Sequence, residues 1–168
     1  TLDVPAGALF VPMTQSAAGI AAAALEPDSP GSYVGVGVIP MATDEVEAPV
    51  YRVMDEFGVK VASFQHALEA YKVRDLIAAH GTGIATWPDW WGFKMEAWDG
   101  IPWNATLDTA AGIPVALHSD SAETVQRLYI DAAKMLRYGM TESEALKTIT
   151  LNPATLLGVG SHTGSLEV

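Results

Sequence analysis

From about Asp55 onward, short apolar runs alternate with stretches whose apolar residues recur every three to four positions. "VKVASFQH" (59–66), "GIATW" (83–87) and "IPVALHSD" (113–120) are brief apolar runs bounded by loops, and each predicts a strand. Between them, a helix is predicted from about Tyr71 to Ala79, ending at His80-Gly81, and another over Asn104–Ala111, ended by Gly112. After the third strand, Val125, Leu128, Ala132 and Met135/Leu136 form one stripe at helical spacing. "TESE" at Thr141–Glu144 has the spacing of a capping box. "NPATLLG" predicts a further helix, with Asn152 as cap, Pro153 in the first position and Gly158 as stop. Strands alternating with helices predict βα units around a parallel sheet.

The pattern before Asp55 is different. "ALFVPM" (8–13) and "YVGVGVI" (33–39) read as strands, and "TQSAAGIAAAALEP" as a short helix capped by Thr14 and stopped by Pro27. "PMATDEVEAP" (40–49) reads as an acidic connector with a proline at each end. Arg52 is the sole basic residue up to Met54, in a stretch dense in Gly, Pro and Ala. These contrasts divide the chain into 1–54, a small strand-helix-strand segment, and 55–168.

Composition narrows the function classes. The 168 residues are 49% hydrophobic and 17% charged, enough to bury a core and unlike a disordered chain. With no cysteine there is neither a disulfide framework nor thiolate chemistry; an intracellular or periplasmic setting fits, the cytoplasm being favoured. A net charge of −11 speaks against nucleic acid and anionic membrane surfaces as partners. No apolar run approaches the roughly 18 to 20 residues that cross a bilayer, and no signal peptide is visible. The chain does not begin with Met, so it is expected to be processed or to be part of something longer.

Two strands end in groups able to bind metal: His66 after "VASFQ", and His118 and Asp120 in "VALHSD". Alternation along the last strand places Ala116, His118 and Asp120 on one face, Val115 and Leu117 on the other. A carboxylate facing into a sheet needs a partner, a hydrogen bond or a metal. The plainer alternative is that Asp120 caps a helix starting near Ser121, and that His66 is a satisfied core or edge histidine. The loop "TWPDWWGFKMEAW" (86–98) suits a substrate pocket, with Trp91 as its candidate; the alternative is that Trp90, Trp91, Phe93 and Trp98 cover the end of a barrel or form an oligomer contact. Tyr71 and Lys72 follow His66 and are candidate substrate contacts, or surface residues at a helix start. His80 is expected to decorate a helix terminus and His162 to face solvent.

The segment from "DEFGVKVASFQH" through "IPVALHSDSAE", followed by "EALKTITLNPATLLG" and "GSLEV", resembles the C-terminal part of an amidohydrolase-superfamily (β/α) barrel, in particular imidazolonepropionase-like proteins. The resemblance covers about 55–168. It implies that His66 ends strand six and ligates a metal, and that Asp120, after strand eight, binds metal and relays a proton. A divalent metal, zinc first, would acidify a bound water, and the carboxylate would pass its proton to a leaving nitrogen. His118 departs from the family pattern, where a small polar residue is usual; it either adds a ligand or hydrogen-bonds near the sheet.

The family's His-x-His pair and strand-five histidine are missing from this sequence, whose four histidines all lie at or after position 66. Residues 1–54 resemble instead the C-terminal tail of zinc-carboxypeptidase-like proteins, again without that family's catalytic motifs. The expected architecture is therefore α/β: a partial (β/α) barrel preceded by a small α/β segment. The expected function is metal-dependent hydrolysis of a C–N bond in a cyclic amide or related small molecule, or a fragment of such an enzyme. The alternative is a non-catalytic hybrid or half-barrel with open sheet edges, stable as a homo-oligomer or on a missing barrel half.

Overall fold

The computed structural model describes residues 8–9, 34–37, 44–58, 60–93 and 95–165. Five strands form one wholly parallel sheet in sequential order: β1 (Ala8–Leu9), β2 (Val34–Gly37), β3 (Lys60–Gln65), β4 (Gly83–Thr86) and β5 (Val115–Leu117). Six α-helices accompany them among the described residues: α1 (Asp44–Phe57), α2 (Arg74–His80), α3 (Asn104–Ala110), α4 (Leu128–Arg137), α5 (Glu142–Lys147) and α6 (Leu151–Leu156). Parallel neighbours joined in sequence by crossovers of one hand keep their helices on one side of the sheet. The architecture is mixed α/β, as expected. The helix expected over Thr14–Glu26 lies outside the described residues.

The core lies between sheet and helices. Val50, Tyr51 and Met54 of α1 pack with Val61 and Phe64 of β3, Ile77 of α2, Ile84 of β4, Val115 and Leu117 of β5, and Ala132 and Met135 of α4. Val61 and Phe64 share this side through a β-bulge. Gly35 pairs with Val61 and Val36 with Ser63, so Ala62 has no counterpart on β2. The extra residue resets the alternation. It turns Ser63 and Gln65 to the opposite face, where Gln65 Nε2 donates to Ser63 Oγ at 3.1 Å. On β5, Val115 and Leu117 enter the core cluster, whereas Ala116 does not, as the alternation predicts.

Three local expectations are corrected. From Asp44 the acidic stretch expected as a connector over 40–49 is helical: α1 begins at Asp44, runs through Pro49 and continues past 54–55. Val50, Tyr51 and Met54 lie at i, i+1 and i+4, a helical stripe whose burial against the sheet overrides the proline. Asn152 is not a cap, because α6 starts at Leu151 with Thr150 in the cap position. Asn152 Nδ2 instead donates to Val115 O at 2.8 Å, and Leu117 N donates to Thr148 O at 3.0 Å. These two bonds satisfy outward-facing backbone groups of β5, so that sheet edge is not open as expected. Asp120 caps no helix; Ser121 Oγ accepts from the Glu123 and Thr124 amides, each at 3.3 Å.

Other local signals hold. Thr141 Oγ1 accepts from the Glu144 amide at 3.2 Å, and the Glu144 carboxylate accepts from the Thr141 amide at 2.7 Å, closing the capping box. Gly81 ends α2 at φ 66°, the left-handed conformation that a residue without Cβ adopts freely. No helix among the described residues is long and apolar enough to cross a membrane.

Candidate functional site

The C-terminal ends of β3, β4 and β5 bring together His66, Trp87, His118 and Asp120. His66 and Asp120 are the two non-glycine residues with positive φ among those described, at 58° and 47°. Each stands just beyond a strand, and each such turn costs about 1 kcal/mol or more for a residue with a Cβ. Strain of this kind persists where surrounding contacts fix it. The result spans a strand: His66 Nε2 lies 3.7 Å from Asp120 Oδ2, although β4 runs between their strands.

Trp87, 6% exposed, packs against both imidazoles. Its ring stacks on His66 at 4.5 Å between centroids and meets His118 tilted at 4.6 Å. The two imidazoles stack at 5.1 Å. Trp90 continues the column, stacking on Trp87 at 5.0 Å. Sequence reasoning passed over Trp87; the signal was present, because alternation in "GIATW" sets Ala85 and Trp87 on the face opposite Ile84.

His118 is held neutral. Burial pushes its pKa down to about 4, the neighbouring His66 adds to that, and Asp120 opposes it. Its Nε2 is buried without a hydrogen-bond partner among the described residues. A neutral imidazole with an uncommitted nitrogen is the form that ligates a metal or accepts a proton.

The remaining candidates are placed as follows. Lys72 Nζ lies 2.7 Å from Asp99 Oδ2 and 3.2 Å from Glu69 Oε2, and the Asp99 hydrogen bond foremost holds its ammonium above the ordinary range despite partial burial. Tyr71 Oη donates to the Asp99 carbonyl at 2.9 Å. Both residues thus fasten the aromatic loop to the turn after His66, the structural role weighed beside substrate contact. Lys134 of α4 fastens the same loop through Asp89. Trp91 is 41% exposed on that loop, beside Trp90 and Phe93. His80 does more than decorate α2: it stacks on Tyr51 at 4.0 Å and bonds Leu76 O at 2.9 Å. His162 is exposed, as expected.

A zinc ion with ligands at about 2.0–2.2 Å in tetrahedral geometry separates neighbouring donors by about 3.4 Å. The 3.7 Å between His66 and Asp120 is close to one such edge. No group of three His, Cys, Asp or Glu side chains among the described residues is placed to hold an ion. His66, His118 and Asp120, expected together as ligands, therefore do not complete a metal centre by themselves. With two donors converging and the His118 imidazole stacked alongside, the described residues alone do not make up a metal centre.

No protein-family model matches the chain. It is 27% identical over 118 residues to amidohydrolase tasK of Hapsidospora irregularis, covering 67% of this chain and 12% of that protein. A crystal structure of an amidohydrolase from Thermotoga maritima superposes with a TM-score of 0.68 at 28% identity, over 76% of this chain and 34% of the other. The likeness is to amidohydrolases. The resemblance read in the sequence is thus matched both by a curated amidohydrolase and by a solved one. An adenosine deaminase from Xanthomonas campestris with bound zinc shares the fold, with a TM-score of 0.58 at 16% identity over 96% of this chain and 40% of that one. The chain spans about an eighth of the curated amidohydrolase and between a third and two fifths of the two solved structures. The carboxypeptidase likeness of 1–54 rests on the sequence alone.

Proposed function

We propose that the chain carries the C-terminal arc of a (β/α) barrel from a metal-dependent hydrolase of C–N bonds, acting on a cyclic amide or related small molecule. The observation that carries this reading is the convergence of His66 Nε2 and Asp120 Oδ2 at 3.7 Å across an intervening strand, at the end of the sheet where loops follow parallel strands. In this reading Asp120, half exposed, accepts the proton of the attacking water and delivers it to the leaving nitrogen. His66 orients that carboxylate and, with His118, furnishes imidazole nitrogens. The stacked Trp87 and Trp90 exclude water from one side, and Trp91 with the fastened aromatic loop borders the substrate. Donors completing a zinc or similar centre would come from barrel strands beyond those described, in this chain or another.

A second reading is a non-catalytic half-barrel or hybrid, stable as a homo-oligomer. It is favoured by the incomplete donor set among the described residues. Metal analysis of the purified chain, with His66→Ala and Asp120→Ala, separates the two. Stoichiometric zinc, manganese or nickel that either substitution removes supports the hydrolase reading. A metal-free chain whose stability ignores a chelator and added metal sinks it for the chain by itself.

A further inference from the structure

We propose that Asn104 is a positioning residue, the clamp that holds His66 in its left-handed conformation and so sets the His66–Asp120 pair. The inference rests on the reading of His66 as a site residue. Asn104 opens α3 and is 3% exposed, yet its side chain makes no contribution to capping that helix. It reaches across to the turn after His66. Its Nδ2 donates to Ala67 O at 2.7 Å and more distantly to Thr86 Oγ1 at 3.4 Å, while its Oδ1 accepts from the Tyr71 amide at 2.9 Å. One flat amide thus fits a carbonyl and an amide of the same turn, and the opposite flip would set donor against donor and acceptor against acceptor.

These bonds complete a two-sided grip on the residue following His66. The Ala67 amide donates to Ala85 O of β4 at 3.1 Å, and its carbonyl is taken by Asn104. The Leu68 amide closes back on His66 O at 2.8 Å. With Ala67 held by β4 on one side and α3 on the other, the chain leaves β3 through a sharp turn at His66. That turn carries the imidazole onto Trp87 and towards Asp120. Because Asn104 is buried, loss of its amide takes the donor from Ala67 O inside a buried contact and removes the acceptor that the part-buried Tyr71 amide uses here. The fold alone asks only for a helix start at this position, which Ser, Asp or Thr would supply as well.

The test is NMR on labelled protein with Asn104→Leu and Asn104→Asp. Aspartate preserves the shape and the acceptor for Tyr71 but opposes a carboxylate to the Ala67 carbonyl. Two readouts follow His66: its backbone carbon shifts, which report the left-handed turn, and the ring-current displacement of its imidazole protons by Trp87. His80, stacked on Tyr51 at 4.0 Å, reports whether the core stays folded. Both variants should lose the two His66 signatures and keep that of His80. Thr86→Val, removing only the 3.4 Å contact, should leave all three unchanged. His66 signals that persist in folded Asn104→Leu overturn the proposal. If both variants lose the His80 signature, amide exchange of the unaltered chain decides. Tyr71 and Ala67 amides protected to within about tenfold of each other support the clamp, and a Tyr71 amide exchanging about a hundredfold faster overturns it. Failure of the hydrolase reading looks different: His66→Ala leaves metal content unchanged while the Asn104 variants still displace the His66 signals.

Discussion

Asp108 offers a direct measurement of what burial does to a carboxyl group in this fold. It lies on the inner face of α3 with no exposed surface, and neither carboxylate oxygen has a hydrogen-bond partner among the described residues. Burial pushes its pKa up from 3.8 to about 8, against a smaller opposing pull from Arg74. The folded chain therefore keeps this proton up to about pH 8, whereas the unfolded chain releases it near pH 3.8. Between those limits the unfolded state binds fewer protons, so stability falls as pH rises, by at most about 1.4 kcal/mol per pH unit. His118, neutral in the fold down to about pH 4 and ordinarily titrating at 6.5, acts below the upper part of this window. From pH 6.5 to 8 the Asp108 contribution should therefore dominate, amounting to about 1.6 kcal/mol. Against a total of roughly 5–15 kcal/mol that is readily measured. Urea unfolding of the unaltered chain and of Asp108→Asn at half-unit intervals is the assay, since exposed groups cancel in the difference. The variant should gain stability relative to the unaltered chain progressively from pH 6.5 to 8. A difference that is independent of pH across that interval would refute the argument.

Lys72→Met should cost about 3 kcal/mol in the same urea assay, because Glu69, 5% exposed, is left as a buried charge without its partner. Asp99→Ala removes the second partner of Lys72, a carboxylate 57% exposed, and should cost under about 1 kcal/mol; equal losses would mean that Glu69 is not the group Lys72 neutralises. Thr141→Ala should lower stability by about 1 kcal/mol through loss of the capping box, read as a lower urea midpoint with an unchanged slope.

Much of the fold was legible because it is written in local chemistry. The capping box at Thr141–Glu144, the left-handed stop at Gly81 and the apolar run ending at Leu117 each depend on residues a few positions apart. The expectations that failed were those in which a distant partner outbid a local signal. Pro49 looked like a boundary, but α1 runs through it to bury Val50, Tyr51 and Met54. Asn152 looked like a cap, but a β5 carbonyl 37 residues away takes its amide.

By itself the sequence determined the alternation of strands and helices, the parallel sheet, the likeness to amidohydrolases and the pairing of His66 with Asp120 as site candidates. Those follow from periodicity, from turn residues and from the order of motifs along the chain. Only the tertiary structure decided that Trp87 packs against both imidazoles, that Asn104 grips the turn after His66, and that His118 is neutral. Each depends on which side chains meet across strands and on how much water is shut out where they meet. Burial and long-range hydrogen bonding are properties of the packed chain, and no local pattern encodes them.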